Sequence, residues 1–306
     1  MELKQLKILL TIVDHGGFTS AADVLGTVQS NISSHIAKLE RELGVTLINR
    51  DLIALTQEGE IVAARAQRIM NEIDALHSDL AAFTKEVSGT VKVGIIGTTA
   101  RWVVPELMET INKYYPKIKL VIIEGTSTVL ESYLLVGQVD FAILDLPISN
   151  KELTTVEFFE EDLCLAIPVD NPLSNRESVE LSELSDLPLL LPLRNTGYRH
   201  EIDQASKQTG VKLHPKLEVD GVRLIASLAF AGYGPAILPI TGLPPIISDR
   251  WRLIKVNMLP RRVVGIVYQK RELPSAATRT VVEVLQDAVH RPNVLPSGLY
   301  LCHPSR

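Results

Sequence analysis

Cysteine is scarce in this sequence: the 306 residues contain two, Cys164 and Cys302, far apart and without a C-x-x-C pair. That excludes a disulfide framework and a thiolate zinc site. Cys164, within Asp162-Leu-Cys-Leu-Ala-Ile, reads as a small buried strand residue. Long apolar runs are also missing, none reaching the roughly 20 residues that cross a bilayer. The opening MELKQLKILLTIVDHGG keeps Asp14 and His15 where a secretory signal places small residues. The expectation is a chain retained in the cytoplasm, with no membrane partner. Basic residues are not in excess either, since 31 Lys and Arg face 36 Asp and Glu for a formal net charge of −5. Such a balance argues against non-specific nucleic-acid binding and leaves room only for a local DNA-reading surface. Signatures of catalysis are absent as well: there is no Gly-x-Ser-x-Gly elbow and no Gly-x-x-x-x-Gly-Lys phosphate loop, and Gly94-Ile-Ile-Gly97 is too short for a dinucleotide fingerprint. The seven histidines, at 15, 35, 77, 200, 214, 290 and 303, lack metal-ligand spacing. No catalytic residue, metal or cofactor is therefore predicted.

What is present divides near Ser88-Gly89. The first 90 residues carry apolar positions at helical spacing. From Val91 onward, short apolar runs (Val91 to Ile96, Leu120 to Ile123, Phe141 to Leu144, Leu163 to Ile167) alternate with helical segments, as in βαβ units around a mostly parallel sheet. A length of 306 residues suits about two domains, and the second block is long enough for two α/β lobes. The late strand Val263 to Tyr268 and the helix Ala276 to Val289 return to complete the first lobe. The tail from Arg291, with Pro292, Pro296 and Pro304, reads as loop or disorder.

Within the head, a helix from Leu3 to Val13 stops at Gly16-Gly17. A short helix follows to Leu25, with Thr19 or Ser20 able to cap it and an alanine pair permitting close approach. The third helix runs from Gln29 to Leu43. Its Ile32, Ile36, Leu39 and Leu43 step by four, three and four, which puts them on one face. Ser30, Ser34, Lys38 and Arg41 lie opposite, flanked by Asn31, Ser33 and His35. Amide and hydroxyl side chains at the start of a second helix suit the base edges of a major groove; the same pattern also reads as the solvated face of a small bundle. Through Thr56, five basic residues meet six acidic ones, so one head neutralises few phosphates, and affinity has to come from several heads acting together. The segment from Glu58 to Val87 supplies the means. Val62, Ala66, Ile69, Ile73, Leu76, Leu80, Phe83 and Val87 alternate steps of four and three, the seam of a coiled-coil dimer. Packing of that stripe on its own domain is the alternative.

In the second block, ligands are expected outside the carboxyl ends of strands, at helix N-termini. The turns Gly97-Thr98-Thr99-Ala100-Arg101 and Glu124-Gly125-Thr126-Ser127-Thr128 fit that position. The first precedes a helix with Pro105 in its first turn, and in the second Thr128 and Glu131 have capping-box spacing. Their hydroxyls suit a small carboxylate or sulfate-like anion, with Arg101 adding charge; equally, Thr126 to Thr128 serve simply as caps.

The segments Phe18-Thr-Ser-Ala-Ala-Asp-Val-Leu, Val28-Gln-Ser-Asn-Ile-Ser-Ser-His-Ile-Ala-Lys-Leu-Glu-Arg-Glu-Leu-Gly-Val-Thr-Leu and Leu55-Thr-Gln-Glu-Gly resemble the winged helix-turn-helix of LysR-type transcriptional regulators. The resemblance spans the chain. It implies an α/β protein with a DNA-binding domain at 1–57, a linker and dimerisation helix at 58–88, and an effector-binding domain at 89–290 similar to type 2 periplasmic binding proteins. Lobe I would comprise 89–163 and 266–290, lobe II 164–265, and 291–306 would be a tail. By position it makes Gln29, Ser30, Asn31, Ser33, Ser34, His35 and Lys38 base and phosphate contacts, Thr19 a phosphate contact and Arg50 a wing residue. The wing departs from the family pattern in its shortness and in Asp51-Leu-Ile-Ala, which lacks a basic residue. The dimer seam falls on Val62, Ile69, Ile73, Leu76, Leu80 and Phe83. The effector site, for a small anionic molecule, falls on Thr98, Thr99, Ser127, Leu146, Pro147 and Thr196, with Arg101 beside it. The implied partners are double-stranded promoter DNA, the effector, further copies of the chain as dimer or tetramer, and RNA polymerase. A solute-binding protein with a helical appendage would need export, and an α/β enzyme would need a nucleophile or cofactor signature.

Overall fold

The computed structural model describes residues 1–83, 86–194, 196–270, 274–289 and 297–302. Three helices open the chain: α1 (Leu3–His15), α2 (Phe18–Val24) and α3 (Gln29–Leu43). Gly16 and Gly44 end α1 and α3 in the left-handed conformation, φ 69° and 71°, which other residues adopt at a steric cost. Leu6, Leu9 and Ile12, the pair Ala21 and Ala22, and Ile32, Ile36 and Leu39 form one core. At the start of α1 the cap is Glu2, reciprocated by Gln5. Gly17 caps α2 without a side chain, so neither Thr19 nor Ser20 does so. A two-stranded wing, β1 (Ile48–Asn49) and β2 (Ala54–Leu55), leads into the 27-residue α4 (Gln57–Phe83), about 40 Å long at 1.5 Å per residue. The hydroxyl of Thr56 caps α4 through the Gly59 amide at 3.0 Å. Gly59 itself packs on the wing, where a Cβ would stand 2.0 Å from the Leu47 carbonyl oxygen.

The second block runs β3 (Gly89–Ile96), α5 (Gly97–Tyr114), β4 (Ile118–Gly125), α6 (Ser127–Leu135), β5 (Phe141–Asp145), β6 (Leu153–Glu161), β7 (Leu163–Pro168), β8 (Ser178–Glu180), β9 (Pro188–Pro192), α7 (Gly197–Gln208), β10 (His214–Val219), α8 (Val222–Phe230), β11 (Ala236–Pro239), β12 (Trp251–Asn257), β13 (Arg262–Gln269), α9 (Ala276–Val289) and β14 (Leu299–Leu301). Two six-stranded sheets result, ordered β14-β6-β13-β5-β3-β4 in lobe I and β10-β9-β11-β7-β12-β8 in lobe II. Both are mixed rather than mostly parallel. β3 pairs parallel with β4 and β5, whereas the strands that carry the chain between lobes, β6 and β13, pair antiparallel.

Three boundaries differ from expectation. The return to lobe I comes at Arg262 and not at 266, since all of β13 pairs with β5 and β6. The tail is not wholly irregular: β14 adds to the edge of β6, burying Leu299, while 290–296 and 303–306 lie outside the described residues. Helix α5 starts directly at Gly97, which puts Thr98, Thr99 and Arg101 within its first turns and Pro105 in its interior.

The two lobes meet at a buried ionic network. Arg262, 2% exposed, directs Nε to Asp145 Oδ1 at 2.6 Å and Nη1 to Glu161 Oε1 at 2.7 Å. Glu161 reaches into lobe II, where its Oε2 accepts from the Thr241 amide at 2.9 Å and the Thr241 hydroxyl at 2.7 Å. Burial alone would lower the guanidinium pKa, and the Asp145 and Glu161 carboxylates more than reverse this, holding it above its usual value. Replacing Arg262 by Met strands two carboxylates without a counter-charge and is expected to destabilise the effector domain by about 3–5 kcal/mol. Urea denaturation followed by tryptophan fluorescence checks this, and an Arg262→Met variant as stable as the parent would contradict it.

Candidate functional site

The head presents one polar surface. On α3 the face opposite the core carries Ser30, Ser34 and Lys38, all exposed. Gln29 and Ser33 lean toward α2 and the wing, where they line a shallow concavity with Thr19, Arg50 and Ile53. Asn31 lies on the other flank, its amide donating to the Thr27 hydroxyl at 2.9 Å, and His35 is half-buried on the same side. None of the nine expected DNA contacts is packed into the core. Their charge is partly answered within the head. Lys38 Nζ lies 2.6 Å from Glu2 Oε1, a hydrogen bond that holds the Glu2 carboxyl below and the Lys38 ammonium above its usual pKa. Arg50 stands 3.9 Å from Glu40 and lies over the Phe18 ring at 5.8 Å.

The linker seam separates into two parts. Val62 and Ala66 pack against the head core, Ala66 buried and Val62 half-buried. Beyond them Ile69, Leu76, Leu80 and Phe83 are exposed, Phe83 at 87%, and Ile73 is half-buried. Such a row of large apolar side chains facing water marks an interaction face.

Between the lobes lies a cleft of about 210 Å³. Four helix starts border it: α5 at Gly97, α6 at Ser127, α7 beyond its N-cap Thr196, and α8 at Val222. Unpaired backbone N–H groups at such ends favour negative charge. Thr98 is on the wall, its hydroxyl accepting from Arg262 Nη1 at 3.2 Å. Ser127 donates to Asp145 Oδ2 at 3.1 Å on the floor. Thr196 donates to the Leu193 carbonyl at 2.8 Å while capping Arg199 N. The hydroxyl of Thr126 is buried at the cleft without a hydrogen-bond partner. Because Thr126 is the N-cap, the box expected from Thr128 and Glu131 does not form.

Other expected contacts lie elsewhere. Thr99, one residue along a helix from Thr98 and so rotated by about 100°, is fully buried and absent from the cleft lining. Arg101 is engaged across the lobes by the carbonyls of Thr241 at 2.6 Å and Leu243 at 2.8 Å, outside the cleft. Leu146 and Pro147 lie behind the start of α7, where a Cβ on Gly197 would come within 3.0 Å of their carbonyl oxygens. Asn195, in the turn before α7, lies outside the described residues.

Sequence reasoning missed several lining residues: Asp145 and Arg262 on the floor, Tyr198 beside them, and Asp220, Gly221 and Arg223 from lobe II. Tyr198 holds the Ile237 carbonyl at 2.6 Å and its ring lies 5.6 Å from the Arg262 guanidinium; burial pushes its hydroxyl pKa well up. Arg223 pairs with Glu124 across the mouth of the cleft. Only the Asp220-Gly221 step before α8 carried a signal, with Gly221 at φ 103°.

Comparison with known proteins agrees with both halves of this arrangement. Residues 3–60 match the family profile "Bacterial regulatory helix-turn-helix protein, lysR family", and residues 84–290 match "LysR substrate binding domain". The "Hydrogen peroxide-inducible genes activator" of Dickeya chrysanthemi is 27% identical over 296 residues, covering 94% of this chain and 95% of that protein. Full-length OxyR from Pseudomonas aeruginosa superposes with a TM-score of 0.75 at 24% identity, 99% of each chain being covered. Full-length CbnR in complex with its target DNA does so with a TM-score of 0.68 at 22% identity, covering 94% of this chain and 99% of CbnR. At these identities the two structures speak to the fold. The two profile matches, which together take in the head and the two-lobed block, show that this chain belongs to the LysR family of bacterial helix-turn-helix regulators.

Proposed function

We propose that the chain is a dimeric, sequence-specific regulator of promoters whose affinity for DNA responds to a small molecule held between the lobes. The observation that carries this reading is the exposed stripe Ser30, Ser34 and Lys38 on α3, bordered by Thr19, Gln29, Ser33 and Arg50. Hydroxyls and amides there suit base edges, and the few cations suit phosphates. CbnR, which shares the fold, was solved with its target DNA. Pairing through the exposed part of α4, from Ile69 to Phe83, would set two heads on half-sites one DNA turn apart. Two dimers joining into a tetramer would add grip, and RNA polymerase is the machinery such a protein recruits or blocks. The cytoplasm is the compartment for that work, and no described helix is long and apolar enough to cross a membrane.

For the effector, the reading is a small ligand with an anionic group, bound and released unchanged. Helix starts rather than Arg101 would receive that group, since Arg262 and Arg223 are already paired with carboxylates. The hydroxyls of Thr98, Thr126, Ser127 and Thr196 line the same cleft. Peroxide sensing, which the Dickeya protein's name describes, is not part of this reading. Burial, reinforced by Glu161 and Asp162, pushes the Cys164 thiol up to about 12, and its sulfur lies 3.4 Å from the Leu238 carbonyl. Burial beside Glu160 and Glu157 pushes Cys302 up to about 11. The thiolate is the form that attacks peroxide, so neither side chain is poised for it at neutral pH.

DNA upstream of the chain's own gene, titrated by mobility shift at several salt concentrations, tests the DNA assignment. Ser34→Asp is expected to weaken binding at least tenfold with folding intact. Glu2→Gln, which releases Lys38 and keeps a capping oxygen, is expected to tighten it and to steepen the log–log salt slope by up to about 0.9, one phosphate contact's share. Unchanged binding in the Ser34→Asp variant would sink the assignment of this face. In the same assay, millimolar hydrogen peroxide is expected to leave the parent's affinity unaltered; a reversible shift abolished by replacing Cys164 or Cys302 would refute the thiol argument.

A further inference from the structure

Helix α6 begins in the cleft and ends on the linker. Its first residue, Ser127, holds Asp145 on the cleft floor. Eight residues later, about 12 Å away at 1.5 Å per residue, the carbonyl of its last residue, Leu135, and that of Gly137 in the turn just beyond it meet two side chains of α4. The Arg68 guanidinium donates to the Leu135 carbonyl, and Asn71 Nδ2 donates to the Gly137 carbonyl at 2.7 Å. Gln67 Nε2 donates to Asn71 Oδ1 at 2.9 Å and fixes the amide's orientation. The approach is close: Gly137 has φ +74°, and a Cβ there would lie 3.1 Å from Asn71 Nδ2 and 3.5 Å from Arg68 Cγ.

A second strut runs the same way. Strand β13 starts at Arg262 on the cleft floor and ends at Gln269, whose amide donates to the Leu134 carbonyl of α6. Farther along α4 a separate contact ties the linker to α9. Asp79 Oδ1 accepts from the Ala276 amide at 2.7 Å, and Ser78 Oγ accepts from the Ala277 amide at 3.1 Å. The linker is thus tied to lobe I at the end of α6 and, separately, at the start of α9. Any displacement of α6 relative to α9 therefore tilts or twists α4, the helix whose first turns are part of the head core.

We infer that α6 is the element that reports the state of the cleft to the DNA-binding head, with Arg68 and Asn71 as the receiving side chains. This rests on the proposed effector-controlled DNA binding and states how the control is transmitted. Rigid elements with defined contacts at both ends carry coupling of this kind, and its size is measured by a cycle of substitutions at the two ends.

The experiment compares the parent, Ser127→Ala, Asn71→Ala and the double variant, without added ligand. One readout is affinity for DNA upstream of the chain's own gene at fixed salt; the other is amide hydrogen exchange across residues 64–79. Ser127→Ala, which alters the cleft end alone, is expected to change DNA affinity by at least about fivefold in the parent and less than twofold when Asn71 is already Ala. Exchange in 64–79 should change with Ser127→Ala only while Asn71 is present. Arg68→Met in place of Asn71→Ala gives a second cycle should the first variant unfold. Equal effects of Ser127→Ala in both backgrounds, or no effect on either readout, would overturn the inference. If the parent does not prefer this DNA over a shuffled fragment, that counts against the DNA reading, and the exchange cycle decides the coupling by itself.

Discussion

One guanidinium, that of Arg262, answers two buried carboxylates where the chain crosses between lobes, and the geometry of the cleft follows from it. Charges removed from water are tolerated only when paired and hydrogen-bonded on their remaining sites. Here Asp145 has Ser127 and Arg262, while Glu161 has Arg262 and both donors of Thr241. Each bond joins a different element, so α5, α6, β5, β6, β13 and the lobe II turn after β11 are mutually fixed. Apolar residues of similar volume could join two lobes at less desolvation cost. They would not fix the hydroxyls of Thr98 and Ser127 in place, which this network does through Arg262 and Asp145 at the cleft.

The network also divides the lobe interface by strength. Glu161 and Thr241 meet where both are buried, so their bonds are scarcely screened. Arg223 and Glu124 meet at the mouth with 63% and 49% of their side chains exposed, and an ion pair in that position contributes little to stability. The Glu161 end of the interface is therefore the stronger of the two and the Arg223 end the weaker. A molecule bound between the lobes would add its own contacts to both walls, and only a difference between those contacts in two lobe arrangements would favour one of them. Differential interaction of this kind is what a ligand needs to shift a conformational population.

How much of this was legible in the sequence depended on whether a local pattern reported the environment. Ile32, Ile36 and Leu39 marked the buried face of α3, because a helix on a core has one wet face, whereas Leu43 at its last turn is exposed. Val91 to Ile96 and Phe141 to Leu144 were found because both faces of those strands are covered. Strand β6, Leu153–Glu161, was not, because its burial changes midway, from exposed Thr154 to Glu157 to buried Phe158 and Phe159. Thr98 and Thr99 looked equivalent on the expectation of a loop. The helix starting at Gly97 turns one to the cleft and the other to the core. Arg262 gave no local signal: a basic residue at a strand end is ordinarily solvated, and its two partners lie 117 and 101 residues away.

The head shows why the remaining parts of the chain are needed for DNA recognition. Of its cations, Lys38 and Arg50 already face Glu2 and Glu40. Docking on a phosphate must therefore exchange one anion for another, which contributes less than freeing a condensed counterion into solution. A single head thus relies on hydroxyl and amide contacts of modest strength, and the affinity of a pair is governed by the spacing of its two α3 helices through effective concentration. Spacing is a property of α4, which enters the head core at Val62 and Ala66 and is gripped by lobe I at Arg68, Asn71, Ser78 and Asp79. A head with so few unpaired cations gains most from a partner held in register, which makes the geometry of α4 the quantity on which the affinity of a pair would depend.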